Sequence, residues 1–174
     1  MTQFILVRHG EPEWSLNEKY KFRGHGRDLP YLTEKGRLQA KEAASDPRLQ
    51  NIDLIVSSPY TRALQTAAIL SKELQKDIRV EYGLMDWQPD SSYTYDDQQW
   101  MLSQWDEYFK YEGKHPEGEK RLWETREAML SRIHSALDKY TGYSRVAVVT
   151  HGEVIRLMTQ GEDNSHCSIH VVER

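Results

Sequence analysis

Two histidines stand at matched places in this sequence, each preceded by an apolar run and one polar residue and each followed by Gly-Glu: FILVRHGE from Phe4 and VAVVTHGE from Val146. Each spelling reads as a strand buried on both faces that ends at a histidine, where glycine lets the backbone turn and lets a ligand come close. Arg8 adjoins His9, and Arg62 follows a third apolar run, 52–56, closed by Ser57-Ser58-Pro59. Two imidazoles and two guanidiniums gathered at strand ends would form a local positive pocket, and the guanidinium fork matches the oxygens of a phosphoryl group. A neutral imidazole can also attack phosphorus, with the transferring group stabilised by positioning and fixed positive charge. This set lacks a proton donor for the leaving alcohol. Arg62 stands at the start of a helix, where the dipole disfavours a cation, so an anion is expected beside it. A metal site on His9 and His151 is the chemical alternative; two histidines with no third ligand nearby in sequence make a poor zinc set, and no metal or cofactor is expected.

The elements that must position these residues follow from apolar periodicity. Strands are expected over 4–7, 52–56, 78–80, 146–149 and 168–172, and helices over 34–44, 60–74 and from Gly152 through Met158. Thr33 is a plausible N-cap, and Asp46-Pro47 stops the helix that it starts. Leu122, Met129, Leu130, Ile133, Leu137 and Tyr140 fall on one face of a long helix ending at Gly142. Between them, about 86–118 reads as an irregular, aromatic-rich insertion with a helix near 98–111. Alternating strands and helices imply an α/β three-layer sandwich, a mainly parallel central sheet with helices on both faces. Residues 1–174 read as a single domain. In such sheets ligands bind beyond the carboxyl ends of the strands, where the winding direction reverses, which places Arg8-His9-Gly10, Ser57-Ser58-Pro59 and Thr150-His151-Gly152 at one site.

Composition narrows the function classes. A formal net charge of −4 and a pI near 6.0 offer no bulk attraction to nucleic acid or to an anionic membrane surface, so an anion site must be built locally. No apolar stretch approaches a membrane span and the N-terminus lacks the features of a secretory signal, so a cytoplasmic location and no membrane partner are expected. Cys167 is the only cysteine; it excludes an internal disulfide and reads as a buried or idle thiol.

The stretches LVRHGEPEW, LTEKGRLQA, SSPYTRALQTA, PEGEKRLWETRE and VVTHGEVIRLM, in that order across nearly the whole chain, resemble the histidine phosphatase superfamily, which includes the cofactor-dependent phosphoglycerate mutases. The resemblance implies a phosphoglycerate mutase-like fold and a metal-independent phosphomonoesterase acting on a small phosphorylated metabolite. His9 would be the nucleophile that forms a phosphohistidine, with Arg8, Arg62 and His151 binding the phosphoryl oxygens. The family's general acid aligns with Asp86 in Leu84-Met85-Asp86; Glu81 and Asp90 are the fallback candidates. Three departures stand out. Pro12 replaces the usual Thr or Ser, Ser15 occupies the place of an Asn that commonly contacts phosphate, and DWQPDSSYTY replaces the family's signature after the acid. Ser15 can still donate one hydrogen bond. The altered acid region also suits a catalytically silent phosphate- or phosphoprotein-binding module, and a protein-phosphohistidine phosphatase would share the site.

Several features carry no settled role. Glu11 and Glu153 read as partners for Arg or His rather than acids. Lys19, Lys21, Arg23, His25 and Arg27 form a basic loop that either reaches a second anionic group or is simply solvated. Trp87, Tyr93, Tyr95, Trp100, Trp105, Tyr108, Phe109 and Tyr111 either pack a lid or form a stacking wall. His166 and His170 are expected to point outward.

Overall fold

The computed structural model describes residues 1–161 and 163–174. Among the described residues five strands form one mixed sheet: β1 (Gln3–Arg8), β2 (Leu54–Ser57), β3 (Ile78–Val80), β4 (Arg145–Thr150) and β5 (Ile169–Glu173), in the spatial order β3-β2-β4-β1-β5. The first four are parallel and β5 runs antiparallel along β1. Side chains alternate between faces, so each strand feeds two cores. Phe4, Leu6, Leu54, Val56, Val146 and Val148 pack on one side with Met129, Ile133, Val154 and Ile155. Ile5, Val7, Ile55, Ala147 and Val149 pack on the other with Ala63, Ala67 and Leu70. Helices α2 (Glu34–Ala43) and α3 (Thr61–Leu74) cover the second face. Helices α4 (Gln98–Lys110), α5 (Arg126–Asp138) and α6 (Gly152–Thr159) contribute to the first. A six-residue helix, α1 (Ser15–Tyr20), follows the end of β1. No helix of the described residues is long and apolar enough to cross a membrane.

Local chemistry starts several of these elements where expected. Thr33 accepts from the Gly36 N–H at 2.9 Å, Asp97 caps α4 through the Trp100 N–H, and Asp46 accepts from the Arg48 N–H beside Pro47, each satisfying an otherwise orphaned donor. The long helix differs from its periodicity. It begins only at Arg126, with Thr125 as N-cap, and ends at Asp138. Leu122 lies outside it, half exposed, while Trp123 fills the core position. The insertion is also less irregular than its polarity suggests, because Trp87 and Tyr108 are buried in the same core as Trp123.

Parallel register brings the chemistry together. Arg8 lies opposite Thr150, so His9 and His151 leave the sheet side by side, with the His9 N–H on the Thr150 carbonyl at 3.0 Å. On the other flank of β4 the Ser58 N–H donates to Val149 at 3.0 Å. The glycines act differently from the sequence expectation. A Cβ on Gly10 would meet the Gly36 carbonyl oxygen at 2.4 Å, and one on Gly152 would meet the Asn164 amide at 2.7 Å and the Arg8 guanidinium at 3.3 Å. Neither has a positive φ; both permit close packing of protein on protein, and Gly152 also lines the cleft beyond the strand ends.

Candidate active site

Beyond the ends of β1, β4 and β2 lies a cleft of about 760 Å³ whose inner end holds Arg8, His9, Arg62, Asp28, Asp86 and His166. His9 is nearly buried. Its Nδ1 lies 2.8 Å from its neighbour's carbonyl, Gly10 O, an acceptor that selects the Nδ1–H tautomer and leaves Nε2 unprotonated. The Arg62 Nε–H donates to that Nε2 at 3.3 Å. Burial, then the Arg62 charge, hold the His9 pKa well below its usual value, so the ring is neutral at pH 7.

His151 is fully buried behind His9, with ring centroids 5.3 Å apart. Its Nε2 lies 2.7 Å from Ser58 Oγ, and its Nδ1 faces Asp86 Oδ2 at 3.5 Å. Nδ1 faces a carboxylate oxygen, which only accepts, while the Ser58 hydroxyl can donate to Nε2, so Nδ1 is the protonated nitrogen. Burial and then Arg62 depress this histidine as well.

Arg62, at the first turn of α3, is the buried hub. It donates to Asp28 Oδ1 at 2.7 Å and to Asp86 Oδ2 at 3.2 Å. Burial opposes its charge, but the two carboxylates outweigh burial and raise its pKa. The anion expected beside this cation is thus supplied by the protein itself. Asp28, partly buried, is held above the usual carboxyl range by burial, against the pull of Arg62. Arg8 donates through Nη1 to the Asn164 carbonyl while its buried Nε finds no partner among the described residues. Burial is the main cause of its lowered pKa.

Of the candidate acids, Asp86 alone lines the cleft. Its Oδ1 accepts from the Trp87 N–H at 2.9 Å, and Arg132 holds the surrounding carbonyls of Gly83, Met85 and Asp86. Glu81 is bound by Lys139 and the Tyr140 hydroxyl. Asp90 accepts from Ser92, Thr94 and Tyr95 in its own turn. Ser15 is on the cleft wall, but its hydroxyl donates to Glu13 at 2.6 Å.

Other expectations need correction. Glu11 pairs with Lys35 and Thr33 rather than with an Arg or a His, whereas Glu153 does partner an arginine, Arg156, together with the Tyr108 hydroxyl. His170 is buried. His166 turns inward, its ring 5.7 Å from that of His9. The basic loop is not merely solvated: Arg27 is buried against the Asp96 carbonyl and Gln98, and Arg23 pairs with Asp96. Cys167 is partly buried, and burial pushes its thiol up to about 12.

Sequence reasoning passed over Asp28 and Asn17, and it placed Ser58 at the site without a role. Asn17 is buried on the cleft wall with its Oδ1 unpartnered among the described residues. Asp28 had one visible signal, a lone carboxylate closing a basic run.

The sequence profile of the histidine phosphatase superfamily (branch 1) matches residues 4–164. The chain is 32% identical over 159 residues to a probable phosphoglycerate mutase, GpmB, of Escherichia fergusonii, covering 87% of this chain and 70% of that protein. A mycobacterial glucosyl-3-phosphoglycerate phosphatase in complex with VO3 superposes with a TM-score of 0.71 at 18% identity, over 99% of this chain and 91% of that one. Bacillus stearothermophilus YhfR gives 0.70 at 22% identity with the same coverage. At these identities the two structures speak for the fold.

Proposed function

The chain belongs to the histidine phosphatase superfamily (branch 1), and on that premise we propose that it hydrolyses small phosphomonoesters through a phosphohistidine on His9, without a metal or cofactor. One observation carries this reading: a neutral His9 whose Nδ1 is engaged by the Gly10 carbonyl, so that Nε2 is the unprotonated nitrogen, in a cleft with two guanidiniums, one of which donates to it. Nε2 attacks phosphorus in line while Arg8, Arg62 and His151 Nδ1–H hold the non-bridging oxygens. Asp86, beside Arg62 and His151, gives a proton to the departing oxygen. The alcohol leaves; a water then attacks the phosphohistidine, Asp86 takes its proton, and inorganic phosphate departs. Asp86 is about one-third exposed, its side chain at 31%, so water has access to it, which favours hydrolysis over retention of the phosphoryl group for a mutase step. Asp28 and Asp86 hold the Arg62 fork, and a phosphate must enter against them. The altered stretch after the acid, DWQPDSSYTY, is what favours the second reading, a phosphate-binding module without turnover.

Rapid-quench labelling with a ³²P-phosphomonoester tests the first reading. An acid-labile, alkali-stable phosphoenzyme should form on the wild type and not on His9→Ala, and saturating EDTA should leave the rate unchanged. Phosphate binding with neither label nor turnover would establish the silent module, and activity lost to EDTA and restored by Zn²⁺ or Mg²⁺ would overturn the metal-free mechanism.

A further inference from the structure

The cleft is far larger than a phosphoryl group, and the part remote from His9 has a character of its own. We propose that this part takes a flat, uncharged aromatic leaving group; the inference rests on the reading of the inner end as the phosphoryl site.

Three observations converge. The first is unused apolar surface. Trp14, Tyr93, Leu102 and Phe109 are each between 41% and 48% exposed, and all four line this cleft. Large apolar side chains left in water and gathered around one concavity mark a binding surface.

The second is ring geometry. Trp105 meets Phe109 edge-on at 4.9 Å and 81°, and Trp87 meets Trp105 at 4.8 Å and 68°. Tyr93, also lining the cleft, lies flat on His25 at 4.1 Å. Aromatic walls of this kind gain most from a guest with a planar face of its own.

The third is charge. A leaving group with a carboxylate or second phosphate needs an uncommitted cation in the outer cleft, and no lysine lines the cleft among the described residues. Arg156 places Nε and Nη2 on the Glu153 carboxylate. Arg27 is committed to the Asp96 carbonyl and Gln98, with Glu18 3.5 Å away. His25 shares a hydrogen bond with the Tyr60 hydroxyl. The outer cleft offers stacking surface and balanced charge, which disfavours a phosphoglycerate-like guest.

The test uses esters whose leaving groups are all alkoxides, so that intrinsic reactivity does not decide the result: 2-(2-naphthyl)ethyl phosphate, butyl phosphate, 3-phosphoglycerate and adenosine 5′-monophosphate. The naphthyl ester should exceed butyl phosphate and 3-phosphoglycerate in kcat/KM by about 10²-fold. Phe109→Ala and Leu102→Ala, both at exposed positions, should each reduce the naphthyl-to-butyl ratio by about tenfold. The adenosine ester tells whether the ring is accepted through a sugar as well as through a short linker. Titration calorimetry with the matching phosphonates, which cannot turn over, gives the same ranking independently of catalysis. Equal rates for all esters, or preference for 3-phosphoglycerate, would overturn the proposal while leaving the phosphatase reading intact. Aromatic preference in phosphonate binding with no hydrolysis of any ester would sustain this proposal and remove the phosphatase reading. Loss of that preference in both assays would remove the proposal outright.

Discussion

At the end of β1 the His9 ring is held through Nδ1 by the carbonyl of Gly10, whereas at the end of β4 the His151 ring is held through Nε2 by the Ser58 hydroxyl. The two ends share the spelling His-Gly-Glu and opposite ring nitrogens are engaged. The difference comes from their neighbours in the sheet. β4 lies between β2 and β1, so the end of β2 delivers Ser58 to His151. β1 has β4 on one side and the antiparallel β5 on the other, so His9 receives no hydroxyl partner and instead has His166 from the approach to β5. A local motif thus places a histidine at a strand end, and strand order decides which side chains from elsewhere in the chain reach its ring.

This asymmetry should be visible in function. His9→Ala should lower turnover by about 10⁴-fold or more and abolish phosphoenzyme labelling. His151→Ala should cost about 10²- to 10³-fold and still label slowly, as expected for loss of one oxyanion contact. Equal losses with labelling absent from both variants would erase the division of roles.

The next effect depends on the leaving group. Acid assistance is worth about 10²- to 10⁴-fold, and an alkoxide needs it far more than an activated phenolate. With Asp86→Asn the hydrolysis of an alkyl phosphate should collapse while that of p-nitrophenyl phosphate falls much less. Asp28→Asn, run at the same pH, separates the two carboxylates on Arg62: it should slow both substrates alike. If Asp28→Asn shows the leaving-group-dependent loss instead, the acid has been assigned to the wrong carboxylate.

Ser58→Ala removes the partner that distinguishes the β4 end. It should slow turnover by roughly tenfold through misorientation of His151, and leaving a buried imidazole nitrogen unpaired should cost about 1–3 kcal/mol of stability in chemical denaturation. No change in either quantity would show that the hydroxyl does not set the His151 tautomer.

The smallest effect is on stability against pH. Both histidines are depressed in the folded protein from the unfolded value of 6.5, so the unfolded chain binds protons first. Their contribution is present above about pH 6.5 and is lost as pH falls toward the depressed folded values, with a slope of up to about 1.4 kcal/mol per pH unit for each ring. Denaturation midpoints between pH 7 and 5 should therefore fall, and less steeply in His151→Gln. An unchanged slope in that variant would mean that His151 is already protonated in the folded state.

The α/β alternation, the strands ending at His9 and His151, the Thr33 cap and the Asp46-Pro47 stop were legible in the sequence because each rests on contacts within a few residues: apolar periodicity, a capping hydroxyl, a ring that cannot donate. The same locality misled elsewhere. Leu122 fits the periodicity of the helix face, yet the chain before Arg126 is occupied in delivering Trp123 to the core. The partners of the site were not legible for the complementary reason. Asp28 reaches Arg62 across 34 residues, Ser58 reaches His151 across 93, and Glu81 and Asp90 are withdrawn as acids by bonds to Lys139 and to a turn of 90–95. A carboxylate or hydroxyl carries no periodic signal of its partner, so sequence determined which residues could do phosphoryl chemistry. Only the parallel register and the order of strands decided which of them meet.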